Sequence, residues 1–141
     1  MSEFVEVSVS ELTGAALNWA TFCAVYTGLQ PNIRVTESET RLLFKGAAKP
    51  VTFPRTVRLT YFGAYGFEHS WFPSSDWVCG GPLIEKHRVG IYCDYTEQET
   101  ITANVTGSGA TSTGPTYLIA ACRAIVSSVL GETVSVPKEL V

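Results

Sequence analysis

At 141 residues, 45% apolar and 16% charged, with a net charge of −3, the chain is long enough to bury a continuous core and reads as one α+β domain over residues 1–141. The acidic balance and the absence of a basic run remove the electrostatic footprint of a duplex nucleic-acid binder. No stretch approaches the roughly 18 consecutive apolar residues of a membrane span, and no signal-peptide pattern opens the chain, so the expected compartment is the cytosol.

In chain order, a first helix is expected over about residues 10–27. Ser10 is a suitable N-cap, and Leu12, Ala16, Trp19, Cys23 and Tyr26 follow at four- and three-residue steps on one face. Gly28 and Pro31 then end it. Short strands follow. Arg41–Lys45 is a candidate, and Arg55–Tyr61 alternates with Val57, Leu59 and Tyr61 on one side. Glu85–Tyr92 alternates less cleanly, and Glu99–Val105 brings Ile101, Ala103 and Val105 to one face. Gly107–Gly114 reads as a flexible connector. A second helix over about 115–130 opens on Pro115, repeats Leu118, Cys122, Ile125 and Val129, and stops at Gly131. Val134–Pro137 is extended. Two main helices packed on an antiparallel sheet of about four to five strands give the expected α+β class.

The four cysteines (Cys23, Cys79, Cys93, Cys122) and two histidines lack the local spacing of a metal site, and four free thiols are expected. No cofactor motif is present. No nucleophile elbow, paired-carboxylate motif or His-x-x-x-His occurs, so catalysis is the less favoured reading. His69 and His87 read as solvated or structurally bonded.

Two stretches are candidates for binding. In Phe72-Pro-Ser-Ser-Asp-Trp-Val-Cys-Gly-Gly-Pro-Leu-Ile-Glu, Asp76 and Trp77 sit among residues that fix backbone shape. Either Asp76 caps turn amides while Trp77 packs inward, or Trp77 is an exposed stacking plate and Asp76 accepts from a ligand, with Gly80, Gly81 and Pro82 letting backbone approach. The Gly107–Thr116 segment runs into a helix start, where Gly114 and Thr116 would suit a phosphate or carboxylate. Arg123, among alanines, reads either as a snorkelling or ion-paired side chain (with Glu85 or Asp94) or as an anion clamp.

The same stretches, Phe72-Pro-Ser-Ser-Asp-Trp-x-x-Gly-Gly-Pro-Leu-Ile-Glu-Lys and Gly114-Pro-Thr-Tyr-Leu-Ile-Ala-Ala-Cys-Arg-Ala-Ile-Val, together with Val9-Ser-Glu-Leu-Thr-Gly-Ala-Ala-Leu-Asn-Trp-Ala, resemble the NinX-like phage proteins. These blocks cover about a third of the chain; Cys122 and the region of Tyr117 depart from the family pattern. The resemblance implies a tailed-phage accessory protein acting in the cytoplasm of the infected bacterium, with no established activity.

Three functions follow as expectations. The first is a non-catalytic protein that captures a small anionic or nucleotide-like ligand in a counter-defence role, with Asp76, Trp77, Gly80, Gly81, Pro82, Gly114, Thr116 and Arg123 in a two-part cleft. The second is an inhibitor of a host or defence protein that uses the aromatic-rich 61–77 region. The third is a nucleotide hydrolase with Asp76, Glu85 or His87 as acid or base. The low share of charged residues points to surface covered in a homo-oligomer.

Overall fold

The computed structural model describes residues 3–94 and 100–141. The chain opens on β1 (Phe4–Ser8), in which Val5 and Val7 are turned toward the core between exposed Glu6 and Ser8. It pairs antiparallel with β10 (Thr133–Pro137), setting Val5 opposite Val136 and Val7 opposite Val134. A 3-10 turn at Val9–Glu11 leads to α1 (Gly14–Val25). Ser10 therefore lies in that turn and not at the helix cap, a position held by Thr13.

α1 has no single apolar face. Ala16, Leu17, Trp19, Ala20, Thr21, Phe22 and Ala24 are all buried, while Cys23 and Tyr26, expected on the inner stripe, are more accessible. A helix that is apolar around its circumference belongs in the middle of a fold. The buried Thr21 hydroxyl fits there because it donates to the Leu17 carbonyl at 2.7 Å.

Among the described residues the strands form four small antiparallel sheets, where the sequence pattern suggested a single one. β2 (Asn32–Thr36), β5 (Thr56–Phe62) and β6 (Glu68–Ser70) make one sheet in the order β2-β5-β6, and β3 (Glu39–Arg41) and β4 (Val51–Phe53) form a separate ribbon. After α2 (Trp77–Lys86), the strands β7 (Val89–Asp94), β8 (Thr100–Val105) and β9 (Thr111–Gly114) make the third sheet, with Ile101, Ala103 and Val105 partly or fully buried as expected. The β1–β10 pair is the fourth. α3 (Tyr117–Leu130) lies between the β7-β8-β9 sheet and α1. Ala120, Ala121 and Ala124 are at most 1% exposed, so their small side chains let helix and sheet backbones approach closely. The α+β class holds.

Several local expectations change. Residues 85–88 are not strand: α2 runs to Lys86, and Arg88 takes a left-handed conformation (φ 53°) before β7 begins. The Gly107–Gly114 stretch belongs to a hairpin, with a turn at Thr106–Ser108 and β9 pairing with β8. Leu42, Leu43, Phe44 and Lys45 lie beyond β3 at the ribbon tip. Pro115 precedes the helix and Thr116 is its N-cap. Glu99, expected to begin a strand, lies outside the described residues.

Burial silences two of the thiols: it pushes the Cys122 thiol up to about 12 and that of Cys23 up to about 11. All four cysteines are free.

Candidate binding groove

The Phe72–Glu85 stretch is the start of a helix. Asp76 has extended backbone (φ −124°, ψ 118°), and its carboxylate accepts from the Val78 amide at 3.1 Å, which makes it the N-cap of α2. The Gly-Gly-Pro run falls inside the helix. The amide that Pro82 lacks would have served the carbonyl of Val78, in the exposed first turn, so its absence is tolerated there.

Gly80 serves packing. A Cβ on it would lie 2.4 Å from the Pro73 carbonyl oxygen and 2.7 Å from Leu118 Cδ2, so the missing side chain is what lets α2 close on α3. The preceding turn is tied to α1 by Asn18. The Asn18 Oδ1 accepts from the Ser74 amide at 3.0 Å and the Ser74 hydroxyl at 2.7 Å, while its backbone carbonyl accepts from Trp71 Nε1 at 2.8 Å. These buried bonds hold the segment in one shape up to residue 74. Beyond it, Trp77 emerges 56% exposed.

α3 begins in the same way. Thr116 Oγ1 accepts from the Ile119 amide at 3.1 Å, and an aromatic residue, Tyr117, takes the first helical position. The Trp77 and Tyr117 rings lie 6.5 Å apart at 51°. Together with Ser74, Ser75, Ile101, Pro115, Thr116, Leu118 and Ile119 they border a groove of about 520 Å³. Among the described residues its lining carries no charged side chain; apolar and aromatic groups predominate, with Ser74, Ser75 and Thr116 as the hydroxyl-bearing members. The positive end of the α3 dipole adjoins it, whereas the Asp76 carboxylate offsets that of α2.

The expected site residues are thus distributed. Trp77 and Thr116 line the groove. Gly81 lies under the indole, where a Cβ would sit 3.8 Å from Trp77 Cε3. Asp76 and Pro82 border a separate concavity of about 400 Å³ with Tyr26, Tyr61, His69 and Cys79. Gly80 and Gly114 are packing positions; a Cβ on Gly114 would meet the Ala120 amide at 2.9 Å. Arg123 is 8% exposed, and it donates from Nε to the Leu12 carbonyl at 3.0 Å and from Nη1 to the Thr113 carbonyl at 2.8 Å. It clamps α3 to the approach to α1 and to β9, away from the groove lining. Neither bond goes to a carboxylate, and the side chain of Asp94 lies outside what the structure describes.

Tyr117, Ser74 and Ser75 line the groove without having been singled out from the sequence. Nothing in the sequence marks Tyr117 out: Ser, Thr, Asp or Asn followed directly by an aromatic occurs eight times in the chain, and only the fold shows that Asp76-Trp77 and Thr116-Tyr117 are both a cap and a first helical residue. Of the candidate acid–base residues, Asp76 lies at the opposite end of α2 from Glu85 and His87. Asp76 and His87 cap opposite ends of α2, and a ten-residue helix holds its ends roughly 15 Å apart.

His87 has a different consequence. Its Nε2 is buried and has no hydrogen-bond partner among the described residues, and burial, with Lys86 nearby, lowers its pKa from the usual 6.5. The unfolded chain therefore takes up this proton first, and stability falls as pH drops below 6.5. Glu68 acts at lower pH: hydrogen bonds from Thr60 and Arg34 hold its carboxyl below 4.5, so its contribution is present above that value and lost as pH falls through the folded pKa. The thermal midpoint of the wild type should drop between about pH 7 and about pH 5.5, and His87→Leu should flatten that limb alone. An unchanged limb in the variant would contradict the assignment.

The fold and groove define a small α+β protein with an apolar surface cleft at two converging helix starts. The family model described as "Bacteriophage P22, NinX" matches residues 8–128, and the chain belongs to that family. It is accordingly a bacteriophage accessory protein. The match extends well beyond the three blocks that carried the sequence resemblance and takes in the β2–β6 region. No curated protein matches the chain. Among the described residues no helix is long and apolar enough to cross a membrane.

Proposed function

We propose that this phage accessory protein is a non-catalytic binding protein that captures a small, flat, nucleotide-like ligand in the Trp77–Tyr117 groove, with counter-defence in the host cytoplasm as its role. The observation that carries this reading is the pairing of two partly exposed aromatic rings, 6.5 Å apart, at adjacent helix starts. A base stacked on such a ring gains roughly 1–3 kcal/mol, with little dependence on which base it is. The anionic end of the ligand would then lie toward the start of α3, where Thr116 and the helix dipole favour negative charge. Arg123 has no place in this version of the site because it is buried away from the groove lining, with its Nε and Nη1 bonded to backbone carbonyls.

A thermal-shift screen against cyclic nucleotides and ADP-ribose derivatives tests the reading. Because Trp19 and Trp71 are buried and Trp77 is exposed, a true ligand should also quench the solvent-accessible part of the tryptophan emission. No stabilisation by any member of the panel would count against the proposal.

A second reading, inhibition of a host or defence protein, has its own support. Phe62, Tyr65 and Phe67 surround the turn between β5 and β6, and Tyr65 is 96% exposed. Clustered exposed aromatics are characteristic of protein-binding surfaces. A stoichiometric partner recovered from infected cells and lost in Tyr65→Ser/Phe67→Ser would favour this reading over the first.

A further inference from the structure

The β3–β4 ribbon is an arm. Among the described residues its strands pair only with each other, and an isolated two-stranded ribbon is marginal in water. Side-chain contacts support it locally: the Thr40 and Thr52 hydroxyls are 3.0 Å apart, and the Arg41 guanidinium lies 4.9 Å from the centre of the Phe53 ring. At the tip, Leu42, Leu43 and Phe44 stand 48%, 60% and 66% exposed. Three large apolar residues in a row on a projecting turn need cover that the chain does not provide for itself.

Charge indicates what covers them. Six of the ten Lys and Arg residues (Arg34, Arg41, Lys45, Lys49, Arg55, Arg58) fall within β2–β5, opposed there by Glu37 and Glu39, which leaves +4 on this segment and −7 on the rest of a chain whose total is −3. Lys45 and Lys49, nearest the apolar tip, have no ion-pair partner among the described residues. At the opposite extreme of charge, β1, the turn after it and the link from α3 to β10 carry exposed Glu6, Glu11 and Glu132, close in sequence to exposed Val129 and Leu130, while Glu3, just before β1, is ion-paired with Lys138. A basic, apolar-tipped arm and an acidic face with exposed apolar side chains are complementary, and this chain carries both.

We propose that the arm docks on a second copy of this chain, its Leu42–Phe44 tip against the end of α3 and Lys45 and Lys49 against Glu6 and Glu132. Reciprocal docking closes a twofold dimer, since each copy offers one arm and one face. This is independent of the Trp77–Tyr117 groove and stands whether or not that groove binds a ligand.

Light scattering after gel filtration, with sedimentation velocity, tests it on the full chain. The wild type should dimerise at low ionic strength and dissociate progressively toward about 0.5 M salt, as screening shortens the reach of the charges. Lys45→Glu/Lys49→Glu and Glu6→Lys/Glu132→Lys should each weaken the dimer roughly tenfold or more on their own. An equimolar mixture of the two should restore dimers, because both interfaces are again oppositely charged. All four positions are exposed, and matched circular-dichroism melts would show that the variants are folded. A monomeric wild type would overturn the proposal, as would dimers indifferent to charge reversal. So would a monomer that pellets with anionic vesicles through its arm, which would assign the tip to lipid.

Discussion

Gly80→Ala should lower the unfolding free energy by roughly 2–4 kcal/mol, the range expected when an added methyl group meets rigid neighbours in a packed interior. The new Cβ would sit 2.4 Å from a backbone oxygen, that of Pro73, and 2.7 Å from a methyl of Leu118. The side chain can give way, but the Pro73 carbonyl is held in a turn anchored by the Asn18–Ser74 bonds. The neighbouring residue supplies the control. A Cβ on Gly81 finds only ordinary contact, 3.8 Å from Trp77 Cε3, and alanine gains up to about 1 kcal/mol over glycine in a helix. Gly81→Ala should therefore be neutral or stabilising in urea unfolding. Equal losses at both positions would mean that the substitution disturbs the helix in general and not the α2–α3 contact.

Arg123→Met is expected to be nearly as damaging, at about 2–4 kcal/mol, because it strands two inward-facing carbonyls while preserving side-chain bulk. The Leu12 and Thr113 carbonyls each accept from this guanidinium, and they belong to segments far apart in sequence. Arg123→Lys should recover only part of the loss, since an ammonium lacks the planar fork that reaches both oxygens. Loss of ligand binding in an Arg123 variant would accordingly report a loosened α3 and not a missing phosphate contact. If Arg123→Met unfolds at the wild-type urea concentration, the clamp is not what holds these segments together.

The parts of this fold that were legible in the sequence are those where local chemistry and tertiary context agree. α3, β5, β8 and β10 follow from period and punctuation. β1 carries the same signal, alternating Val5, Val7 and Val9 with Glu6, Ser8 and Ser10. α2 was not legible, because Gly-Gly-Pro reads as a breaker. Its glycine is explained by Pro73 and Leu118, contacts that exist only in the folded chain. The position of the α1 cap failed for a related reason: Ser10 has cap chemistry, yet the β1–β10 pairing and the turn after it delay the helix to Gly14.

The candidate site was legible in part. Local spacing pointed to Trp77 and Thr116, and both border one groove. Arg123 was ambiguous because the two carbonyls it bonds, one of them 111 positions away, have no signature in the sequence. The pair takes one half of each alternative: the Asp76 carboxylate is a cap, as in the first, while Trp77 is exposed, as in the second.

Titration calorimetry of a ligand found in the nucleotide screen, against wild type and Trp77→Ala, tests the central claim most directly. Trp77 is half exposed, so its truncation should leave the thermal midpoint close to wild type while the affinity falls roughly tenfold to a hundredfold, the loss of one stacking plate. A ligand that binds both proteins equally well would contradict the groove as the binding site.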